Sequence, residues 1–280
     1  MDNYQLTQDQ ITADGVCLRT EEHTPSTIEK YLRDTRAFAV WLEGRPVTRE
    51  LAAEWRDRLL SSGHKPSTVN SMLAAVNGLF RFLGWGIRVK FLKVQRRLFR
   101  DQSRELTRGE YDLLVNTARA AGKERLALLM EAVCATGVRV SEVKYLTVEA
   151  AQCGRAEIAL KGKIRMILLP NKLCRKLLKY ARKQKIASGE IFLTRSGRSL
   201  SRRQIWAEMK QLCKATGVAS EKVYPHNLRH LFARTFYQAC KDIARLADVL
   251  GHSSIETTRI YLVTTGAEQV RQLDRLGLVS

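Results

Sequence analysis

Residues 224–262 read YPHNLRHLFARTFYQACKDIARLADVLGHSSIETTRIYL and hold three of the chain's five histidines. Pro225 suits the first turn of a helix. The spacing of three between His226 and Arg229 then puts imidazole and guanidinium on one helical face. Gly251-His252-Ser253-Ser254 breaks one helix and caps the next, and Tyr261 follows His252 by nine residues, about two and a half turns further on. The stretch therefore predicts helix, break and short helix, with two histidines, an arginine and a phenol within reach of one another.

That set of groups suits phosphoryl chemistry. Breaking a phosphodiester needs an in-line nucleophile, cations around the non-bridging oxygens and an acid for the departing alkoxide. A tyrosine hydroxyl can attack and leave a covalent intermediate that keeps the bond energy. Its free pKa near ~10 calls for help from neighbouring Arg and His. Arg suits the oxyanions better than Lys because its planar fork holds two oxygens at once. Taken singly, a histidine on a helix is ordinarily a satisfied core or surface residue, and a tyrosine in an apolar pattern is core; the clustering carries the argument. His226 and His230, at i and i+4, could share a metal with His252. Against that set, the glutamate of an HEXXH pattern is missing and Arg229 sits between the two histidines. The chemistry expected here requires no metal and no nucleotide cofactor.

HNLRH at 226–230, LGHSS at 250–254 and Tyr261 together resemble the carboxy-terminal signature of the tyrosine recombinases, or phage integrase family, in its Xer-like two-domain form. Ala135-Thr136-Gly137-Val138-Arg139-Val140-Ser141-Glu142 resembles the family's first box, whose arginine is catalytic. The resemblance implies that Tyr261 attacks a DNA phosphodiester, giving a 3′-phosphotyrosyl link and a free 5′ hydroxyl. Arg139, Arg229 and His252 would hold the phosphate oxygens, and His226 would help the tyrosine lose its proton. A hairpin lysine would protonate the leaving 5′ oxygen. The usual Gly-Lys-Gly is altered here to Leu-Lys-Gly-Lys, so Lys161 is the first candidate and Lys163 the second. The resemblance further implies double-stranded DNA as partner, a homotetramer synapsing two sites through a four-way junction, and room for an accessory directionality protein. A type IB-like topoisomerase and a non-catalytic DNA-binding protein are the alternatives, although the second has no need of this residue set.

Charge points the same way. The 280 residues carry a formal charge of +20 and a pI near 10.0, for which a polyanionic partner is the simplest account. Between Arg155 and Lys214 there are 17 basic residues against Glu157, Glu190 and Glu208. A phosphate backbone passing the site would explain that excess, and each phosphate neutralised should steepen the salt dependence by roughly 0.9 in log-log slope. The six cysteines form no C-x-x-C pair and read as reduced thiols. No apolar run is long enough for a span and the amino terminus is polar, so no membrane association and a cytoplasmic location are expected.

In chain order, residues 1–23 lack a periodic apolar face and are expected to form an arm or a tail ordered on binding. The shortness of this stretch is expected to set the chain apart from large integrases that also bind distant arm sites. Residues 24–92 predict a bundle: a helix from Thr24 with Pro25 in its first turn, a second from Thr48, and a third from Lys65-Pro66 that echoes the first at an offset of 41. Trp85 to Leu92 is ambiguous, with a short last helix as one reading. The bundle resembles the SAM-like core-binding domain of the family. Residues 93–104, basic and weakly periodic, read as a linker, and Thr107 with Glu110 forms a capping box opening a catalytic domain over 105–265. Glu157–Leu160 and Ile164–Leu169 predict a hairpin, and Ile191–Leu193 a short third strand. The amphipathic tail, 266–280, is one that the resemblance assigns to exchange between protomers. The expected fold is mainly α, with a small antiparallel β element in the second domain.

Overall fold

A computed structural model describes residues 4–94, 102–160, 163–261, 270–271 and 274–276. The chain divides into two compact units, Met1–Arg96 and Arg97–Ser280.

The first unit holds α1 (Gln8–Thr20), α2 (Pro25–Leu42), α3 (Arg49–Ser61) and α4 (Pro66–Phe82). Pro25 and Pro66 stand in the first turns of α2 and α4, after Thr24 and Lys65, where a missing N–H costs nothing. Phe38 is fully buried and takes the Trp55 ring at 5.0 Å and the Phe80 ring at 5.7 Å, both edge-on. Apolar stripes of α2, α3 and α4 thus meet on one aromatic centre.

Two expectations fail in this unit. Instead of an arm, residues 8–20 form α1, which buries Ile11, Asp14, Gly15 and Leu18. The readable signal was a capping box, Thr7 with Gln10; the apolar face is too thin to show by periodicity. Nor does Trp85–Leu92 make a helix. It forms no regular element, and its backbone is held by side chains: the Asn77 amide donates to Val89 O and accepts from Val89 N, both at 2.9 Å. The Asn70 amide does the same for Leu92. Two side chains of α4 stand in for a neighbouring strand, satisfying backbone groups that would otherwise be stranded.

In the second unit, α5 (Arg108–Ala120) opens with the Thr107–Glu110 capping box. α6 (Glu124–Thr136) is apolar nearly all round and buried along its length, as a central helix must be. A 3₁₀ turn (Val140–Tyr145) and α7 (Val148–Cys153) lead to β1 (Arg155–Leu160) and β2 (Lys163–Leu168), paired antiparallel from Arg155↔Leu168 to Leu160↔Lys163. Ala156, Ile158 and Ile167 face the core, while Ile164, Met166 and Leu168 are exposed. α8 (Asn171–Lys183), α9 (Arg202–Thr216), α10 (Pro225–Cys240), α11 (Ile243–Leu250) and α12 (Ile255–Arg259) complete the unit. α10 packs on α6 and α11 on both α10 and α12. The expected third strand does not form: around the buried Ile191 and Phe192 there are only single bridges, Thr147↔Glu190 and Leu193↔Ser199. Among the described residues no helix is long and apolar enough to cross a membrane.

Candidate active site

The site is assembled where α6 and α11 end beside α10. α6 stops at Gly137, which has φ +66°, a conformation that glycine adopts freely. A Cβ there would lie 2.5 Å from the Phe232 ring, so the turn and the close packing of α6 on α10 both require glycine. This turn delivers Arg139. Its Nη1 donates to Glu142 Oε1 at 2.9 Å and its backbone N–H to Glu142 Oε2 at 2.8 Å. Arg139 and Glu142 form an ion pair, in which Glu142 is buried while the Arg139 side chain is 37 % exposed. A rigid buried carboxylate thus aims a guanidinium at solvent.

Arg229, on α10, is 1 % exposed. Its Nη1 donates to Gly137 O and its Nη2 to Leu250 O at 2.8 Å. Those carbonyls terminate α6 and α11, so two helix C-termini direct their partial negative charge at one buried cation. Nη2 also meets His252 Nε2 at 2.9 Å, and Tyr261, whose ring stacks on that of His252, is near enough to favour the charged guanidinium. Burial first, then the charge of Arg139, draws the Arg229 pKa down to about 10, which leaves it charged at neutral pH.

His252 follows the helix-ending Gly251, and its Nδ1 lies 2.9 Å from Thr258 Oγ1. A guanidinium only donates, so Nε2 accepts and the imidazole proton sits on Nδ1, donated to Thr258. Burial, then the Arg229, Arg139 and Arg165 charges, push His252 down to about 4. Its ring stacks on Tyr261 with centroids 6.0 Å apart. Tyr261, after α12, is 5 % exposed and shares an apolar cluster with Ala233, Leu246 and Leu250.

His226 lies in the first turn of α10. Burial, Arg229 and Arg139 hold it below the usual histidine range. Its ring meets His230 edge-on at 4.6 Å, and His230 in turn meets Tyr261 edge-on at 4.8 Å. Of the two histidines on α10, the one in ring contact with the phenol is thus His230, which entered the sequence reading only as a member of the metal alternative. Among the described residues no three His, Cys, Asp or Glu side chains are placed to hold a metal ion. A cleft of about 650 Å³ opens onto Arg139, His226 and Arg229 and continues past Arg202, Arg203 and Trp206 of α9.

Five of the six sequence-derived candidates, Arg139, His226, Arg229, His252 and Tyr261, are therefore gathered in one place. The sixth, Lys161, lies outside the described residues, as does the side chain of its alternative, Lys163.

Residues 104–267 match the phage integrase family, and residues 17–86 its N-terminal SAM-like domain. The chain belongs to the phage integrase family. Over 264 residues the recombinase is 32 % identical to tyrosine recombinase XerC of Roseiflexus castenholzii, spanning 84 % of this chain and 82 % of that one. It is 28 % identical to tyrosine recombinase XerA of Thermococcus kodakarensis, over 89 % of this chain and 88 % of that one. In fold it is similar to a lambda integrase solved as a tetramer bound to a Holliday junction, with TM-score 0.74, 18 % identity and coverage of 93 % and 78 %. The XerH recombinase in a post-cleavage complex with a difH substrate gives TM-score 0.67, 17 % identity and coverage of 93 % and 95 %. The recombinase is a DNA-binding enzyme of site-specific recombination, which cleaves and rejoins DNA strands.

Three contributors to the site were not legible as such. Thr258 orients His252 from four residues beyond the Ser254 cap, and nothing local marks it. His230 was visible, but helical spacing could not say which histidine the phenol would reach. Arg165 reads in sequence as one more cation in a basic stretch, yet it bonds Glu142 and Val249 O.

Proposed function

We propose that Tyr261 attacks the scissile phosphodiester, leaving a 3′-phosphotyrosyl bond and a free 5′ hydroxyl, and that the reverse attack by another 5′ hydroxyl exchanges strands. The observation that carries this reading is the gathering around Arg229 of the turn bearing Arg139, the His252 imidazole and, stacked on that imidazole, the Tyr261 ring. Arg139 and Arg229 neutralise the non-bridging oxygens, where charge grows in the transition state. His252 completes the cradle. His226, at the mouth of the cleft, accepts the tyrosine proton, with the neutral His230 between the two rings as a path for it. Lys161 protonates the leaving 5′ oxygen, and Lys163 is its alternative.

The covalent link conserves the energy of the broken bond, so no nucleotide is consumed. The phosphate charge is met by guanidinium groups, and chelating magnesium should change little. The basic stretch from Arg155 to Lys214 follows the DNA backbone past the cleft, and the amino-terminal bundle, residues 24–92, supplies further duplex contacts. The partner is double-stranded DNA, gripped by four protomers on two synapsed sites, with the tail from residue 266 lent to a neighbour. An accessory protein would set direction.

Mapping covalent adducts of the purified protein across genomic DNA tests the reading. Discrete sites that recombine when paired on one plasmid are expected. Adducts scattered without sequence preference, with relaxation of any supercoiled plasmid, would replace recombination by topoisomerase action.

A further inference from the structure

Arg165 has no role in the scheme above, yet it lies in the midst of the residues that do. On β2 it pairs with Ile158, a register position that faces the core, and its side chain is only 15 % exposed. Period-two alternation would put an aliphatic side chain there. A guanidinium instead donates through Nη2 to Glu142 Oε2 and through Nη1 to Val249 O at 3.3 Å. Gly251 admits it: a Cβ at that position would stand 2.3 Å from Arg165 Cδ. Burying a charge in this way is costly unless a partner needs it.

The partner is a carboxylate already in use. Glu142 orients Arg139 with one oxygen and takes Arg165 on the other. Paired with Arg139 alone, Glu142 would cancel the charge that Arg139 offers to an approaching phosphate. With Arg165 present, the three side chains together retain one positive charge, and the exposed member of the trio is Arg139. We propose that Arg165 is a positioning residue that neutralises Glu142, so that Glu142 can hold Arg139 in place without weakening its pull on the scissile phosphate. The inference rests on the reading that Arg139 holds that phosphate.

The test is single-turnover cleavage at saturating DNA, on a nicked duplex carrying a recovered cleavage site, with binding measured separately. Arg165→Met should bind DNA as the parent does and cleave roughly 10²-fold more slowly, the scale of a misplaced catalytic group. Adding Glu142→Gln removes the uncompensated carboxylate, and the double variant should recover about tenfold, the coupling expected of contacting charges. A packing role predicts the reverse, a double variant slower than either single one. That result, or an Arg165→Met enzyme of full speed, overturns the inference. Should Arg165→Met fail to fold, the double variant, which buries no unpaired charge, is compared with the parent: a loss within about tenfold supports the inference and one near 10²-fold overturns it. Arg139→Ala separates the two readings. If it cleaves normally, the phosphate role of Arg139 is wrong whatever Arg165 does; if it is inactive while Arg165→Met is not, only the present inference falls.

Discussion

The Arg229 guanidinium donates to His252 Nε2 at 2.9 Å, and this bond fixes the imidazole as neutral with its proton on Nδ1. A second proton would have to sit on the nitrogen that faces the cation. Against an ordinary 6.5, burial and the surrounding positive charges hold His252 at about 4, and burial with His226 nearby holds His230 at about 3. Both folded values lie below the unfolded one, so between them the unfolded chain binds more protons. Stability from these histidines is whole above pH 6.5 and is lost as pH falls through about 4. Melting temperature should therefore drop between pH 7.5 and 5, and His230→Asn should flatten that slope. Asp14, which burial raises to about 6, acts with the opposite sign in the amino-terminal unit, and the comparison with the variant isolates the histidine.

Gly137→Ala should damage both stability and catalysis. Its φ of +66° disfavours any side chain, and the new methyl would meet the Phe232 ring at 2.5 Å. Strain of this kind costs about 1–3 kcal/mol. Because the Gly137 carbonyl also receives Arg229, relief by backbone movement displaces Arg229 and the turn carrying Arg139. Thermal melts should show the loss of stability, and cleavage assays at a temperature where the variant is folded should still show a slow enzyme.

Much of this arrangement was legible in the sequence, for local reasons. Pro25, Pro66, the Thr107–Glu110 capping box and the glycines at 137 and 251 act within a few residues of themselves, so helix limits and the two functional turns follow directly. Arg229, His252 and Tyr261 were readable for the same reason, since each lies at a fixed offset from a turn or a cap, and Arg139 through the resemblance of residues 135–142 to the family's first box. What escaped depends on distant partners. The non-helical course of residues 85–92 is held by Asn70 and Asn77, the inward turn of Arg165 by Glu142, and the choice of His230 over His226 beside Tyr261 by how α11 and α12 pack back along α10. α1 was missed because it buries a carboxyl and a glycine alongside only two aliphatic side chains.

Asn77→Ala tests the amino-terminal unit alone. It leaves the N–H and C=O of Val89, a residue 4 % exposed, without partners, at about 1–3 kcal/mol for each buried group that water cannot reach. Chemical denaturation should show that loss. Asn77→Asp keeps the acceptor for the Val89 N–H but not the donor to its carbonyl, and should fall between the two.

The phenol is the most direct point of test. On a nicked duplex the cleaved end cannot be resealed, so the covalent complex accumulates and can be digested and sequenced by mass spectrometry. We expect a single nucleotide-bearing peptide with its 3′ phosphate on Tyr261, and no adduct from Tyr261→Phe at unchanged DNA affinity. A 5′-phosphoryl link, an adduct on another side chain, or a covalent complex that survives Tyr261→Phe would contradict the mechanism.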